Sequence, residues 1–409
     1  MFNVYSRIHT YDDFSLSSDN LDSNVDRIGS LSSCSSMIVD SHVYCFSAPD
    51  TPAGYASGAE HLEHWQRQYA LHHQPAFRVR DRQPGNSRLL LDPAPADPWR
   101  LARDRNFRVD RTCKRLVWTI AGDDYTKQQL PPNVIEFSAG ALIAEMDHAG
   151  VDCALLHADA TLTKDLAYLA ACVAAFPERL RAMAPLEEAL IPEKPDQAIA
   201  QAVAAVRDHR LHALKVIPAY AYQQTRSRSF TDTTWRPFWD AVVTLGVPVF
   251  FTLGSRPGAT DPRQGFVDEV WQLRRLLDRY PTLQASVTHG YPWREFLEGN
   301  RLVVPRSFWT PFEGTSLTLE VGFPYRLGDV FEYPYVECRA VIEDMVEHLG
   351  PDRLLWGSDL PFQNRFCTYR QSREYLEKHC AAFLSASDLA HVMGGTVARL
   401  IGLTSPRAS

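Results

Sequence analysis

Eight short apolar runs punctuate the chain, and between most of them apolar residues recur at the three- and four-residue spacing of one-sided helices. The runs fall at 38–44 (IVDSHVY), 153–159 (CALLHAD), 180–186 (LRAMAPL), 213–218 (ALKVIP), 248–254 (PVFFTLG), 284–290 (QASVTHG), 316–322 (SLTLEVG) and 353–359 (RLLWGSD). Their apolar character is near-continuous, as strands covered on both faces require. Helical patterns occupy 137–150, 164–180, 196–209, 234–246, 266–281 and 339–350, several of them halted by Gly150, Gly246, Pro281 or Gly350. Eight buried strands, each followed by a helix, predict an α/β fold of the (β/α)8 TIM barrel type, and the chain has the roughly 250 residues such a barrel needs.

One interval breaks the rhythm. Residues 45–136 form a large insertion after strand one, too long to be a structureless loop in a compact domain. Its 58–73 stretch reads as a helix, and 77–93 as a pair of short strands around the turn signal PGN. On a barrel this insertion emerges above the C-terminal strand ends, which predicts a lid or substrate-shaping element. Residues 1–36, rich in Ser and Asp with few aromatics, read as a disordered N-terminal extension preceding a barrel domain over 37–409.

Composition narrows the function. A chain of 409 residues with 45% hydrophobic and 22% charged positions is not disordered throughout, and its net charge of −7 gives no general attraction to nucleic acid. It contains no apolar run of the ~18 residues a membrane span needs, and its first residues lack the basic and apolar segments of a secretory leader, so a cytoplasmic location is expected. Eight cysteines without any CxxC pairing argue against a zinc ribbon or a disulfide framework, and most of them read as buried thiols.

Polar residues at the C-terminal ends of barrel strands point into the mouth, where such folds do their chemistry. The first run supplies Asp40, His42 and Tyr44, which at period two share one face. The second ends in His157 and Asp159, the fourth carries Lys215, the sixth His289, the seventh Glu320 and the eighth Asp359. Their equivalent placement predicts one shared site. The insertion histidines His61 and His64, beside Glu60 and Glu63, suit a solvated helix face.

DSHVY on the first strand, VTHGYP on the sixth and RLLWGSDLPF on the eighth resemble the amidohydrolase superfamily, specifically its amidohydrolase-2 branch of decarboxylases and lactone hydrolases, from about residue 37 to 403. That resemblance implies a divalent metal, and in one account zinc or manganese is held through His42, His289 and Asp359, with Asp40, Glu320 or His157 as an additional ligand. Two positions depart from the family pattern: Tyr44 stands where a second imidazole is expected, and so does Thr252. A metal-free site is therefore the other account, with Asp359 as general base on a water while His289 and His42 polarise the substrate. In either case Asp359 and His289 are the expected catalytic residues, and Arg365, Tyr44, Thr252, His157 and Glu320 the expected substrate contacts. An arginine fork such as Arg365 suits a carboxylate.

The expected reaction is hydrolysis of a C–O or C–N bond in a small, cyclic, carboxylated molecule. Non-oxidative decarboxylation of an aromatic or muconate-like acid is the alternative within enzymes. A degenerate barrel serving as a binding protein is the alternative outside them. A small-molecule substrate, neither nucleic acid nor membrane, and a homodimer complete the expectation.

Overall fold

The computed structural model describes residues 37–94, 97, 99–322 and 327–403. The expected 1–36 extension lies outside the described residues. Eight strands run parallel in one sheet: β1 (Val39–Val43), β2 (Cys153–Leu156), β3 (Leu180–Ala184), β4 (Ala213–Val216), β5 (Val249–Phe251), β6 (Ala285–Val287), β7 (Thr318–Val321) and β8 (Leu354–Trp356). Each lies inside the run that predicts it. The two edges of the sheet meet beyond β1 and β8, where Val43 bridges Leu360 and the Tyr44 N–H donates to the Leu360 carbonyl at 2.9 Å. The fold is a (β/α)8 TIM barrel, buried along its strands on both faces as the continuous apolar runs require.

The surrounding helices follow the sequence pattern closely. Ser138 caps Ala139–Ala149 at its start, and Gly150 ends it in the left-handed region at φ 69°. Gly246 plays the same part after Arg236–Leu245. The 164–180 pattern overruns, because the helix Leu166–Ala175 stops before Pro177 and Leu180 opens β3. The larger departure follows β6. Among the described residues its connection holds 3-10 turns at Trp293–Phe296 and Arg306–Phe312 in place of an α-helix. Pro292, Pro305 and Pro311 remove the backbone donors a helix would use there, and Trp293, Phe308, Trp309 and Phe312 fill the space instead.

The insertion carries its own fold. The helix Gly58–Leu71 begins at Ser57, whose side chain accepts the Glu60 N–H. A five-stranded antiparallel sheet follows, in the spatial order Pro84–Gly85, Ala76–Arg78, Asp123–Lys127, Arg115–Ile120, Arg108–Asp110. The expected strand pair around PGN is thus corrected. Ala76–Arg78 does meet Pro84–Gly85, but 87–90 form a 3-10 turn, and its other neighbour is Asp123–Lys127. The central hairpin turns at Ala121 and Gly122, both with positive φ, which is the two-residue geometry that matches strand twist.

Candidate active site

The site is built from the corner where β1, β7 and β8 meet. Glu320 on β7 is 1% exposed and receives three hydrogen bonds: Ser41 Oγ at 2.9 Å on Oε1, and His42 Nδ1 at 2.8 Å and the His289 N–H at 2.5 Å on Oε2. Burial works against its charge, but the His42 ring, these donors and Lys215 outweigh it and hold the carboxyl below its ordinary value. An ionised Glu320 fixes the His42 proton on Nδ1, which leaves the lone pair on Nε2, on the far side of the ring from Glu320. There it lies 2.7 Å from the Tyr44 hydroxyl and 3.3 Å from Asp359 Oδ1. His289 Nε2 lies 3.8 Å from the same Asp359 oxygen.

Glycine makes this approach possible. A Cβ on Gly357, the glycine of WGSD, would sit 2.5 Å from Glu320 Oε1, and one on Gly290 would sit 2.6 Å from the Glu320 carbonyl. His289 and Asp359 adopt left-handed backbone at φ 65° and 63°. For residues other than glycine this costs about 1–3 kcal/mol, and such strain concentrates at functional sites. The Asp359 N–H donates to the His42 carbonyl at 2.8 Å, tying the end of β8 to β1.

His42, His289 and Asp359 converge as expected, each offering a ligand atom within 4.8 Å of the others. Two imidazoles and a carboxylate are a donor set that suits zinc, manganese or iron(II). Asp40 does not join them. The pairing of β1 with β2 shifts register between Asp40 and Val43, so the period-two expectation fails across the strand. Asp40 Oδ1 instead accepts the His42 and Ser358 N–H groups at 2.9 and 3.0 Å, and burial raises its carboxyl to about 7.

His157 and Glu320 are also corrected, from substrate contacts to supports behind the cavity wall. His157 is fully buried and stacks on His42 with ring centroids 3.5 Å apart. Both its nitrogens are engaged, Nε2 with the Ser41 carbonyl at 2.8 Å and Nδ1 with Lys215 Nζ at 2.9 Å. Burial, with His42, Lys215 and His289 nearby, pushes it well below its ordinary value, so it stays neutral. Lys215 itself is lowered to about 8 by burial.

Tyr44, Thr252, His289, Asp359 and Arg365 do line one cavity of about 250 Å³, together with Asp159, Tyr220 and residues of the insertion helix. Thr252 Oγ1 pairs with Thr288 Oγ1 at 2.7 Å, a partner that sequence reading missed because Thr288 hides in an apolar run. Arg365 is directed largely at the backbone: Nε donates to the Phe362 carbonyl at 2.9 Å and Nη1 to Gln128 at 3.0 Å, joining the β8 loop to the insertion. His61 is not on a solvated face; it is buried, with its nitrogens 2.8 Å from the Thr51 and Thr161 carbonyls.

The amidohydrolase family model matches residues 118–403, more than half of the chain. The chain belongs to the amidohydrolase family. No curated protein matches this amidohydrolase. Among solved structures it is similar to 5-carboxyvanillate decarboxylase from Sphingomonas paucimobilis, at 17% identity over 66% of this chain and 84% of that one, with a TM-score of 0.47. A probable 2-pyrone-4,6-dicarboxylic acid hydrolase from Acinetobacter baumannii, with citric acid bound, shows 14% identity over 66% and 90%, with a TM-score of 0.46. A dihydroxybenzoic acid decarboxylase from a Polaromonas species, with bound manganese and 2-nitroresorcinol, shows 19% identity over 66% and 87%, with a TM-score of 0.48. The chain is an enzyme of this family, and no helix among its described residues is long and apolar enough to cross a membrane.

Proposed function

We propose that this amidohydrolase hydrolyses a C–O or C–N bond of a small, cyclic, carboxylated molecule, at a divalent metal held by His42, His289 and Asp359. The observation that carries this reading is the approach of those three donors within 4.8 Å of one another at the floor of the cavity that His289 and Asp359 line, with His42 buried behind them and held by Glu320. A divalent cation bound there supplies Lewis acidity and eases deprotonation of water near neutral pH. Asp359 takes the water's proton on a carboxylate oxygen while its N–H, anchored on the His42 carbonyl, keeps the side chain in line. His289 faces the same Asp359 oxygen and is the second imidazole that would hold the cation, so the proton Asp359 captures is the one Asp359 delivers to the leaving group. The Thr252–Thr288 hydroxyl pair and Tyr44 offer neutral hydrogen bonds to the bound ring. The 45–136 insertion contributes Trp65, Gln68, His72 and Gln129 to the cavity wall.

A panel of cyclic esters, lactones, amides and aromatic acids tests the reading by product. Ring opening or acid release without carbon dioxide, abolished in Asp359→Asn, is the expected result. Carbon dioxide release from an aromatic acid would replace hydrolysis with decarboxylation. Turnover that survives Asp359→Asn would remove the role assigned to that residue.

A further inference from the structure

The 250 Å³ cavity is smaller than the roughly 300–1,000 Å³ of most small-molecule sites. It does not stand alone. A chamber of about 710 Å³ adjoins it, and Gln68 and Tyr220 line both. Its walls come from the insertion helix (Glu60, Glu63, His64, Arg67) and from the loops after β2, β3 and β4 (Lys164, Glu187, Glu188, Tyr220).

The charges of this chamber largely cancel in pairs. Lys164 Nζ binds Glu187 at 3.0 Å, and Glu63 is held by Arg103. Glu188 accepts the Ile217 N–H at 2.8 Å and, raised to about 8 by burial, carries a proton at neutral pH. Burial lowers His64 to about 4, so it is neutral as well. Glu60 bonds the Ala56 N–H at 3.1 Å near the helix start, seven residues and therefore roughly 10 Å along the axis from Arg67. Arg67 remains. Partly buried, it lines the chamber with no hydrogen bond or ion pair among the described residues. A guanidinium fork in this setting matches a carboxylate.

We propose that the chamber receives the far end of an extended substrate, which passes from Asp359 along Gln68 and Tyr220, and that Arg67 binds a carboxylate there. The inference rests on the hydrolase reading for the position of the reacting bond, but Arg67 binding is measured without turnover.

Biphenyl-4,4′-dicarboxylate serves as the extended probe and benzoate as the short one, each titrated calorimetrically into the full chain. Arg67→Gln is expected to weaken the diacid by about ten-fold or more and benzoate by less than about two-fold, while Arg67→Lys keeps most of the diacid affinity. Equal losses for both probes, unchanged diacid affinity in Arg67→Gln, or no diacid binding to the unmodified protein would each overturn the proposal. Failure of the hydrolase reading appears elsewhere, as turnover in Asp359→Asn, and leaves the Arg67 comparison standing.

Discussion

On the side of the mouth formed by β1, β7 and β8, imidazoles and carboxylates hold one another: Glu320 fixes His42, and Asp359 stands 3.3 Å from His42 and 3.8 Å from His289. On the β5 side, Thr252 meets Thr288 hydroxyl to hydroxyl at 2.7 Å, with no titratable group in that pair. The difference teaches how this site departs from its family pattern. The candidate ligands are oriented by buried partners, whereas Thr252, one of the two positions that depart from the expected pattern, is closed by a neutral hydrogen bond and faces the cavity. Three ligands with an open coordination position are what a catalytic metal centre needs.

Removing the charged side should have the largest consequence. Asp359→Asn keeps the size of the side chain but cannot take a proton, so kcat/KM on any substrate found should fall by about 10³-fold. Retained activity would break the contrast between the two sides. Glu320→Gln leaves all three donors in place but frees the His42 tautomer, and metal affinity should drop about 10–100-fold, read by competition against a chelating dye. Gly357→Ala drives a methyl group to 2.5 Å from Glu320 Oε1 and should displace the same carboxylate, lowering kcat/KM by about ten-fold while the protein stays folded by circular dichroism. Thr252→His sharpens the comparison from the neutral side: an added imidazole should raise metal affinity by about ten-fold in the same assay.

The remaining prediction concerns stability. Glu188 titrates at 4.5 when exposed and at about 8 in the fold, because burial disfavours its charge. The folded state therefore holds a proton that the unfolded state has released, and stability should fall as pH rises from about 4.5 toward about 8. Glu188→Gln keeps an acceptor for the Ile217 N–H and should flatten that part of a melting-temperature profile. An unchanged slope would show that Glu188 holds no extra proton in the fold.

The barrel was legible because each strand is an uninterrupted apolar run, and burial on both faces leaves no other place for such a run. His42, His289 and Asp359 were legible for the same reason, as polar residues ending runs otherwise packed with branched side chains. Asp40 was misread because period two assumes a regular strand, and β1 shifts register after Asp40. His157 and Glu320 were misread because sequence position does not separate a side chain facing the cavity from one facing the layer beneath it. The insertion hairpin gave weak signals: its turn is Ala-Gly, not the Asn-Gly or Asp-Gly of stronger hairpins. Arg67 could not be singled out, since a helix arginine beside Glu63 suggests a solvated pair, whereas the fold gives Glu63 to Arg103.

The central claim is that His42, His289 and Asp359 act together on one divalent ion. Calorimetric titration of manganese and of zinc into chelator-treated protein tests it most directly, with His42→Ala, His289→Ala and Asp359→Ala alongside. One ion per chain in the unmodified protein, and binding weakened by about 100-fold or more in each variant, is the expected result. A protein that binds neither metal, or three variants that bind as the unmodified chain does, would contradict it.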